Sequence, residues 1–300
     1  MTTDRPVSRA AVFWSFAAIY IVWGSTYLAI RVVVTSVPPL VQAGARFLLA
    51  GGLLYAWARR KGVAPPTAAQ WRYAFLLGGG FFLLGNGGIS WAETRIPSGL
   101  TALLAATSPL WTAVFESART GWQRPPLRIL AGILTGLGGV ALLVAPGEFI
   151  GGRHADLLGA GVITIAALGW ASASVASHAR PLHDSPQLAT GMTMVAGGVL
   201  LVLGAVVTCE VFQVASASFT PAVIFSWLYL VVLGSLVGFS AFLYLLRVST
   251  PQKVSTSAFV NPLVAVFLGW MILGEPISTR TVVAGAVILG AVLLIRGIRN

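Results

Sequence analysis

One charged residue stands inside a long apolar stretch of this sequence. Arg46 lies about eight residues into the apolar run 38–58, where a charge costs roughly 2.5–3.5 kcal/mol on membrane-insertion scales. A guanidinium is a rigid, planar donor that suits a carboxylate or a set of carbonyl oxygens. Two interpretations of Arg46 therefore stay open. It receives the carboxylate of a ligand, or it is structural and pairs with Glu93 or with helix-end carbonyls.

Aromatic and hydroxyl side chains occur in or beside several apolar stretches. The candidates to line a central site are Trp23, Ser25, Tyr27, Trp170, Ser174 and Tyr244. Trp23 and Trp170 are the most informative, because both fall deep inside their stretches. An aromatic cage with a few hydroxyls would hold amphipathic solutes loosely. Close helix packing is the other interpretation of these residues.

Amides and prolines add polarity and irregularity to the apolar stretches. Asn86 stands in the run Gly85-Asn86-Gly87-Gly88, where glycines favour either close helix approach or a loosened backbone around a polar site. Asn261 is its counterpart later in the chain and precedes Pro262. Pro109 and Pro262 each remove a helical donor and free a carbonyl group. They are candidates for hinges, and static kinks are the alternative.

Acidic and metal-binding side chains are scarce. Glu93 and Glu116 lie near the ends of apolar stretches and are the two candidates for proton coupling, since the middle regions contain no Asp or Glu. A single cysteine, Cys209, excludes a disulfide framework and a cysteine-based metal cluster. The three histidines form no HExxH pattern. We expect no catalytic residue, no metal and no cofactor, so an integral membrane enzyme is the least favoured function.

The overall composition is that of a membrane protein. Hydrophobic residues make up 57% of the 300 residues and charged residues only 9%, whereas a soluble domain carries about 25% charged residues. The net charge of +11 would suggest a nucleic-acid partner in a soluble protein. Here the basic residues lie mostly in short connections between apolar runs, which indicates membrane topology. We expect a lipid bilayer and a small-molecule substrate as partners, and no nucleic acid.

Ten apolar stretches are long enough to cross a bilayer core of about 30 Å. They run over 10–30, 38–58, 72–92, 97–117, 127–145, 157–177, 186–207, 222–246, 252–273 and 280–297. Continuous runs exclude the alternating pattern of a β-barrel, and the backbone in lipid then requires helices. The sequence predicts an all-α membrane protein of ten transmembrane helices. The first run is too long to be the core of a signal peptide.

Basic residues are unevenly divided between the two sides that these stretches define. One side collects 14 of the 19 Lys and Arg residues, the other has 4, and Arg46 lies inside a span. Short cytoplasmic connections of membrane proteins carry the excess of Lys and Arg. Both termini are therefore expected in the cytoplasm, with the chain in the inner (plasma) membrane of a bacterium.

The sequence repeats itself weakly. Trp23-Gly24-Ser25 aligns with Trp170-Ala171-Ser172 at a shift of 147 residues, and Pro109-Leu110 aligns with Pro262-Leu263 at a shift of 153. We place the insertion that explains the difference at 209–220. Constant shifts that carry Trp, Pro and Gly pairs favour an internal repeat over chance similarity.

The repeat divides the chain into two halves, 1–147 and 148–300. Each half contains five spans, so the second half enters the membrane from the opposite side. Inverted repeats of this kind are typical of secondary transporters, which hold the substrate between the halves. Arg46 has Thr193 as its repeat equivalent, so the buried charge belongs to one half and is not a requirement of the scaffold.

These residues resemble the drug/metabolite transporter superfamily, in its ten-helix branch of paired EamA-type domains. The likeness is carried by Trp23-Gly24-Ser25-Thr26-Tyr27, Ala29-Ile30-Arg31, Ala45-Arg46-Phe47, Asn261-Pro262-Leu263 and Gly274-Glu275-Pro276-Ile277. In the first half, Gly121-Trp122-Gln123-Arg124 stands where the Gly-Glu turn is expected and departs from the pattern. The resemblance implies a secondary transporter that works by alternating access.

Members of that superfamily export amino acids, drugs and other metabolites, and some import sugars. We therefore expect export of amino acids or similar small amphipathic metabolites, with bacterial exporters of aromatic and other amino acids as the analogy. Import or exchange of sugars or other metabolites, and multidrug export, are the alternatives. Phosphorylated substrates would require several buried basic residues, and Arg46 alone qualifies. A monomer is the expected state.

Overall fold

The computed structural model of the protein describes residues 8–95, 101, 104–143, 157–273 and 279–296. All regular secondary structure in these ranges is helical. In chain order the helices are α1 (Arg9–Val34), α2 (Pro39–Arg60), α3 (Ala68–Ala92), α4 (Ser108–Arg119), α5 (Leu127–Leu143), α6 (Leu157–Ala179), α7 (Pro186–Val207), α8 (Pro221–Val248), α9 (Ser257–Leu273) and α10 (Thr279–Arg296). Two short pieces join them: a 3₁₀ helix, Glu210–Ser216, before α8, and a helical turn, Pro251–Ser255, before α9.

Most of the predicted apolar stretches coincide with these helices to within a few residues. Six helices, α1, α2, α3, α6, α7 and α8, are long and apolar enough to cross a membrane. Part of the predicted span 97–117 lies outside the described residues. Large apolar side chains remain exposed around the bundle, such as Trp14 (68%), Leu134 (59%) and Leu293 (63%). A surface of this kind is one that lipid covers, so the chain is a multi-pass membrane protein.

Side-chain caps explain where several helices begin. The Ser8 side chain accepts the backbone N–H of Ala11 at the start of α1. Thr67 and Gln70 form a reciprocal capping box at the start of α3. Thr220 accepts a backbone N–H in the first turn of α8. These bonds satisfy donors that a helix leaves unpaired at its first turn.

The two ends of the bundle differ in charge. We call the end of the bundle at which α1 begins the basic face. Three helices end there at or next to an arginine: α2 at Arg60, α4 at Arg119, and α6 one residue before Arg180. Arg247, at the end of α8, donates there to the backbone carbonyl of Asp184 at 3.1 Å. The other end is called the opposite face.

The long helices pack against one another along their lengths. α2 packs along α7, and α5 along α10. α1 packs against α8 and α9, and α6 packs against α3 and α4. Glycines allow the closest crossing, since a Cβ on Gly51 of α2 would lie 2.9 Å from the carbonyl oxygen of Gly191 on α7. Small residues let membrane helices approach in this way.

Two of the long helices contain π-helical stretches that the sequence did not predict. They are Gly79–Gly87 in α3 and Leu230–Phe239 in α8. In a π-helix the backbone bonds span five residues, which changes the rotation of the helix and often marks a functional site. Within the second stretch, Ser235 Oγ donates to the Leu230 carbonyl at 3.1 Å. Both departures from α-helix therefore lie in glycine-containing stretches, one in α3 and one in α8.

Candidate functional site

A cavity of about 100 Å³ lies in the middle of the bundle, among α1, α2, α3, α4, α6, α8 and α9. The aromatic part of its wall is formed by Trp23, Tyr27, Phe47, Phe82, Trp170 and Phe239. The polar part is formed by Thr26, Arg46, Asn86, Ser108, Ser255, Ser257 and Asn261. This volume holds several water molecules, so the cavity is narrow in this conformation.

Six of the nine candidate pore residues line this cavity: Trp23, Tyr27, Arg46, Asn86, Trp170 and Asn261. Ser25, Ser174 and Tyr244 are not among the lining residues. Ser25 instead contacts the hydroxyl of Tyr229 and so joins α1 to α8. Ser174 is buried and donates to the carbonyl of Trp170 in its own helix at 2.7 Å. Residues that are close in sequence therefore differ in whether they line the cavity: Trp170 does and Ser174 does not.

Trp23 and Trp170 meet edge to face at the cavity wall. Their ring centroids are 5.4 Å apart and their planes are inclined by 81°, an arrangement that aromatic pairs favour. Phe242 packs against both rings, at 5.1 and 5.2 Å. Trp23 Nε1 donates to the Gly234 carbonyl at 3.1 Å. The two rings therefore pack closely and line the cavity at the same time, so the two interpretations of them are compatible.

Arg46 is buried, with 4% of its surface exposed, and lines the cavity. Its Nε donates to Ser235 Oγ at 2.7 Å, and its guanidinium carbon lies 4.6 Å from the centroid of the Phe47 ring. The ion pair found among the described residues joins Arg119 to Glu116 and does not involve Arg46. A buried charge without a counter-charge is costly, so this guanidinium is suited to bind an anion.

Glu93, the carboxylate considered as a partner for Arg46, makes its contacts elsewhere. It follows α3 at the opposite face, where Arg31 of α1 donates to its backbone carbonyl. Ser235 of α8 supplies the acceptor for Arg46 instead. Thr193, which the expected repeat aligns with Arg46, is fully buried and donates to a carbonyl of its own helix at 2.8 Å. Glu93 is therefore not the partner of Arg46 in this structure.

The two amides bring polar groups to the same cavity. Asn261 of α9 is 6% exposed, and its Oδ1 has no hydrogen-bond partner among the described residues. Asn86 lies in the π-helical stretch of α3 and is half-buried. Buried polar groups are nearly always hydrogen-bonded. An unpaired amide oxygen in a cavity wall is thus available to a donor on a ligand.

The two acidic candidates lie in different environments. Glu116 is near the end of α4 at the basic face and accepts from Arg119 Nε at 3.1 Å. Glu93 is fully buried at the opposite face, and neither carboxyl oxygen has a partner among the described residues. It is the first residue after the span that ends at Ala92. Burial raises the pKa of the Glu93 carboxyl, and the Arg31 guanidinium opposes this shift.

The two prolines also differ in position. Pro109 lies in the first turn of α4, where a missing N–H removes no helical bond. Pro262 lies inside α9, next to Asn261. A proline inside a helix removes one backbone hydrogen bond and favours a kink, and this applies to Pro262 and not to Pro109.

Some residues of the site were not found by sequence reasoning. Ser235 was missed because the stretch 222–246 contains three serines that nothing in the sequence distinguishes. Phe82 and Phe239 were missed because Phe is common in apolar runs. They face each other at 4.7 Å between ring centroids. Among the described residues, no three His, Cys, Asp or Glu side chains meet in a group that could hold a metal ion.

Comparisons with known proteins identify the family. The model of the EamA-like transporter family matches the chain twice, over residues 9–145 and 157–297. The inner membrane transporter YedA of Escherichia coli (strain K12) is 36% identical over 286 residues, which cover 95% of this chain and 90% of YedA. Protein PecM of Dickeya dadantii (strain 3937) is 26% identical over 285 residues, covering 92% and 89%. A solved crystal structure shares the fold with a TM-score of 0.77 at 20% identity, covering 96% of both chains. The chain belongs to the EamA-like transporter family, within the drug/metabolite transporter superfamily.

Proposed function

We propose that this protein is a secondary transporter that exports amino acids or similar small amphipathic metabolites. The observation that carries the proposal is the setting of Arg46. Its buried guanidinium lines the central cavity and has no carboxylate partner among the described residues. A carboxylate requires such a donor, and the aromatic wall beside it suits an apolar side chain. A small amphipathic acid satisfies both.

The other polar groups of the cavity fit the same class of solute. The Asn261 amide oxygen is an acceptor without a partner among the described residues, and it can receive an N–H of a substrate ammonium group. Arg46 is the single basic side chain among the lining residues. A phosphorylated solute would need more positive charge, so the lining favours a singly charged carboxylate.

Two glycine–tryptophan contacts support the proposal that the halves of the chain are inverted repeats. A Cβ on Gly238 would lie 2.5 Å from Trp23 Nε1, and a Cβ on Gly85 would lie 2.9 Å from Trp170 Cε3. Trp23 and Trp170 are related by the shift of 147 residues, and Gly85 and Gly238 by the shift of 153. The same contact therefore occurs twice, each time between opposite halves, 1–147 and 148–300.

We propose that two inverted halves of this kind would transport the solute by alternating access. α3 and α8 occupy equivalent places in the two halves, and each contains a π-helical stretch beside the cavity. Rocking of one half against the other would open the cavity first to one face and then to the other. We propose Pro262 as a bend in α9 that takes part in this motion.

The distribution of basic residues supports an orientation. We propose that the basic face lies in the cytoplasm, with both termini there, in the inner membrane of a bacterium. Export then moves the solute from the basic face to the opposite face.

Counterflow into liposomes tests the proposed substrate class. Purified protein is reconstituted into vesicles loaded with one unlabelled solute, and uptake of the labelled solute is followed with and without a pH gradient. We expect exchange of amino acids above the level of protein-free vesicles. Movement of a sugar or an organic cation, with no movement of any amino acid, would overturn the substrate class and favour an importer or a multidrug exporter.

A further inference from the structure

A carboxyl group without a partner is buried at the opposite face of the bundle. Glu93 is 0% exposed, and neither Oε1 nor Oε2 has a hydrogen-bond donor among the described residues. Buried polar atoms in proteins almost always have a partner. The exception requires an explanation, because a carboxylate is among the groups that are most costly to bury.

The positive charge of Arg31 acts on this carboxyl group without direct contact. Arg31 of α1 donates to the backbone carbonyl of Glu93 and not to its side chain. Tyr27, one turn earlier on α1, interacts electrostatically with Glu93. On the same turn as Glu93, the Arg95 guanidinium carbon lies 4.6 Å from the centroid of the Trp91 ring.

Besides α1, the elements that pack against the end of α3 are α2 and α6, and their described residues at this face bring no positive charge to Glu93. α2 presents Gln42, whose Nε2 donates to Ser90 Oγ at 3.3 Å. The part of α6 described at this face, 158–166, contains no charged residue. Glu210, in the 3₁₀ helix, accepts the backbone N–H of Leu40 at 2.7 Å and is thereby engaged. The neutral, protonated form of Glu93 is the form that suits these surroundings.

Neighbours of Glu93 line two cavities. The residues around it in sequence, Trp91 and Thr94, line a polar cleft of about 580 Å³ at the opposite face, and Glu93 itself does not. On the other side Tyr27 lines the central cavity. The carboxyl group is therefore sealed in this conformation, while its neighbours in sequence line the surface cleft and its electrostatic partner Tyr27 lines the central cavity.

We propose that Glu93 is a proton-binding site whose occupancy changes with the conformation of the transporter and so couples solute movement to a proton. In the sealed conformation a proton is held on one carboxyl oxygen as an O–H bond. That proton is taken up from water in the cleft at the opposite face. When the central cavity opens to the basic face, its water reaches the carboxyl group beside Tyr27, the O–H bond breaks, and the proton passes to water on that side. The coupling to solute rests on the proposed transport function, whereas the proton site itself does not.

The direction of the effect follows from linkage. Burial raises the pKa of Glu93 to about 8 in the sealed conformation, and a hydrated glutamate has a pKa of about 4.3. Between these two pKa values the sealed conformation binds more protons than a conformation in which Glu93 is hydrated. The population ratio of the sealed to the hydrated conformation therefore falls as the pH rises, by up to about tenfold per pH unit. A group that stays hydrated in both conformations would give no such dependence.

Infrared difference spectroscopy of the purified protein tests the site without any solute. A pH step from 6 to 9 is expected to remove the C=O stretching band of a protonated carboxyl group, and Glu93→Gln is expected to lack this change. Glu116→Gln is the matched control, because Glu116 already pairs with Arg119, and it is expected to keep the change. A wild-type spectrum without the band, or a band that persists in Glu93→Gln, would overturn the assignment.

Transport by the same variants tests the coupling. Gln resembles the protonated carboxyl group, so Glu93→Gln is expected to fold and to keep counterflow, but to lose accumulation driven by a pH gradient. Glu116→Gln is expected to keep both. Accumulation by Glu93→Gln equal to wild type would refute the coupling. If no amino acid moves even by wild type, the substrate class fails, while the infrared result still decides the proton site.

Discussion

Arg46 Nε on α2 and Ser235 Oγ on α8 lie 2.7 Å apart. This bond joins α2 to α8 at the wall of the central cavity, which Arg46 lines. Ser235 in turn donates to the carbonyl of Leu230, five residues earlier, in the π-helical stretch of α8. The irregular helix thus positions the hydroxyl that orients the buried guanidinium, and the terminal amino groups of Arg46 remain for a ligand.

Removal of this hydroxyl is expected to weaken substrate binding. Ser235→Ala leaves Arg46 Nε without its acceptor, and a hydrogen bond to a charged group contributes about 1.5–3 kcal/mol, or roughly ten- to a hundredfold in affinity. The apparent affinity for a carboxylate solute in counterflow is the measurement. Ser226→Ala, also on α8, is the matched control and is expected to resemble wild type. Equal effects of the two variants would show that the bond does not position Arg46.

The glycines beside the two tryptophans are expected to be equally intolerant of a side chain. Gly85→Ala and Gly238→Ala place a Cβ 2.9 Å from Trp170 Cε3 and 2.5 Å from Trp23 Nε1, and overpacking of this kind costs about 1–3 kcal/mol. Gly52→Ala is the control because nothing lies within 4 Å of its Cβ position. In thermal unfolding in detergent, Gly85→Ala and Gly238→Ala are expected to have lower melting temperatures than Gly52→Ala. The inverted-repeat proposal would be weakened if only one of the two contact glycines were sensitive.

The helices, and part of the site, could be predicted from the sequence. Stretch length and hydropathy were enough because a bilayer requires continuous apolar helices. Arg46 and Asn261 could be selected as polar residues in apolar runs. The direction in which each side chain points could not be predicted. Ser25 and Thr26 are adjacent in sequence, yet of these two only Thr26 lines the cavity. The rotation of α1 about its axis, which decides this, is set by packing against α8 and α9.

The π-helical stretches show the same limit. α3 and α8 have the hydropathy of ordinary membrane helices, and a π-helix differs from an α-helix in a hydrogen-bond register that residue types hardly encode. Tertiary contacts, such as Trp23 Nε1 donating to the Gly234 carbonyl, stabilise the irregular register. For this reason Ser235 could not be assigned to Arg46 in advance.

Glu210 is expected to stabilise the start of α2 at the opposite face. Its carboxylate accepts the Leu40 N–H at 2.7 Å, so Glu210→Ala is expected to cost about 1 kcal/mol, as the loss of a helix cap does. Burial raises the pKa of Glu210, and the backbone N–H groups of Leu40 and Val41 oppose that shift. A raised pKa in the native state means that the stabilisation is present at low pH and is lost as the pH rises through that pKa.

Glu210→Gln separates these two contributions, because glutamine keeps an acceptor oxygen and cannot ionise. Thermal unfolding at a series of pH values is the measurement. Wild type is expected to lose stability relative to Glu210→Gln as the pH rises above about 4.3, the ordinary value for glutamate. A constant difference between the two proteins across this range would contradict the role of burial.

The single cysteine reports the orientation of the chain. Cys209 is exposed in the connection between α7 and α8 at the opposite face, so a membrane-impermeant maleimide is expected to label it from outside intact spheroplasts. In a Cys209→Ser background, Thr120→Cys at the basic face is expected to react only after lysis. Labelling of Thr120→Cys, and not of Cys209, in intact spheroplasts would place the basic face outside the cell and reverse the orientation.

The role of Arg46 is the central claim, and counterflow with a matched pair of solutes tests it most directly. An amino acid and its amide differ in the carboxylate that Arg46 is proposed to bind. Wild type is expected to exchange the acid at least tenfold better than the amide, and Arg46→Thr, which copies the other half of the chain, is expected to lose that preference while remaining folded. If Arg46→Thr transports the acid as wild type does and loses only thermal stability, Arg46 is a structural residue and the proposed site is wrong.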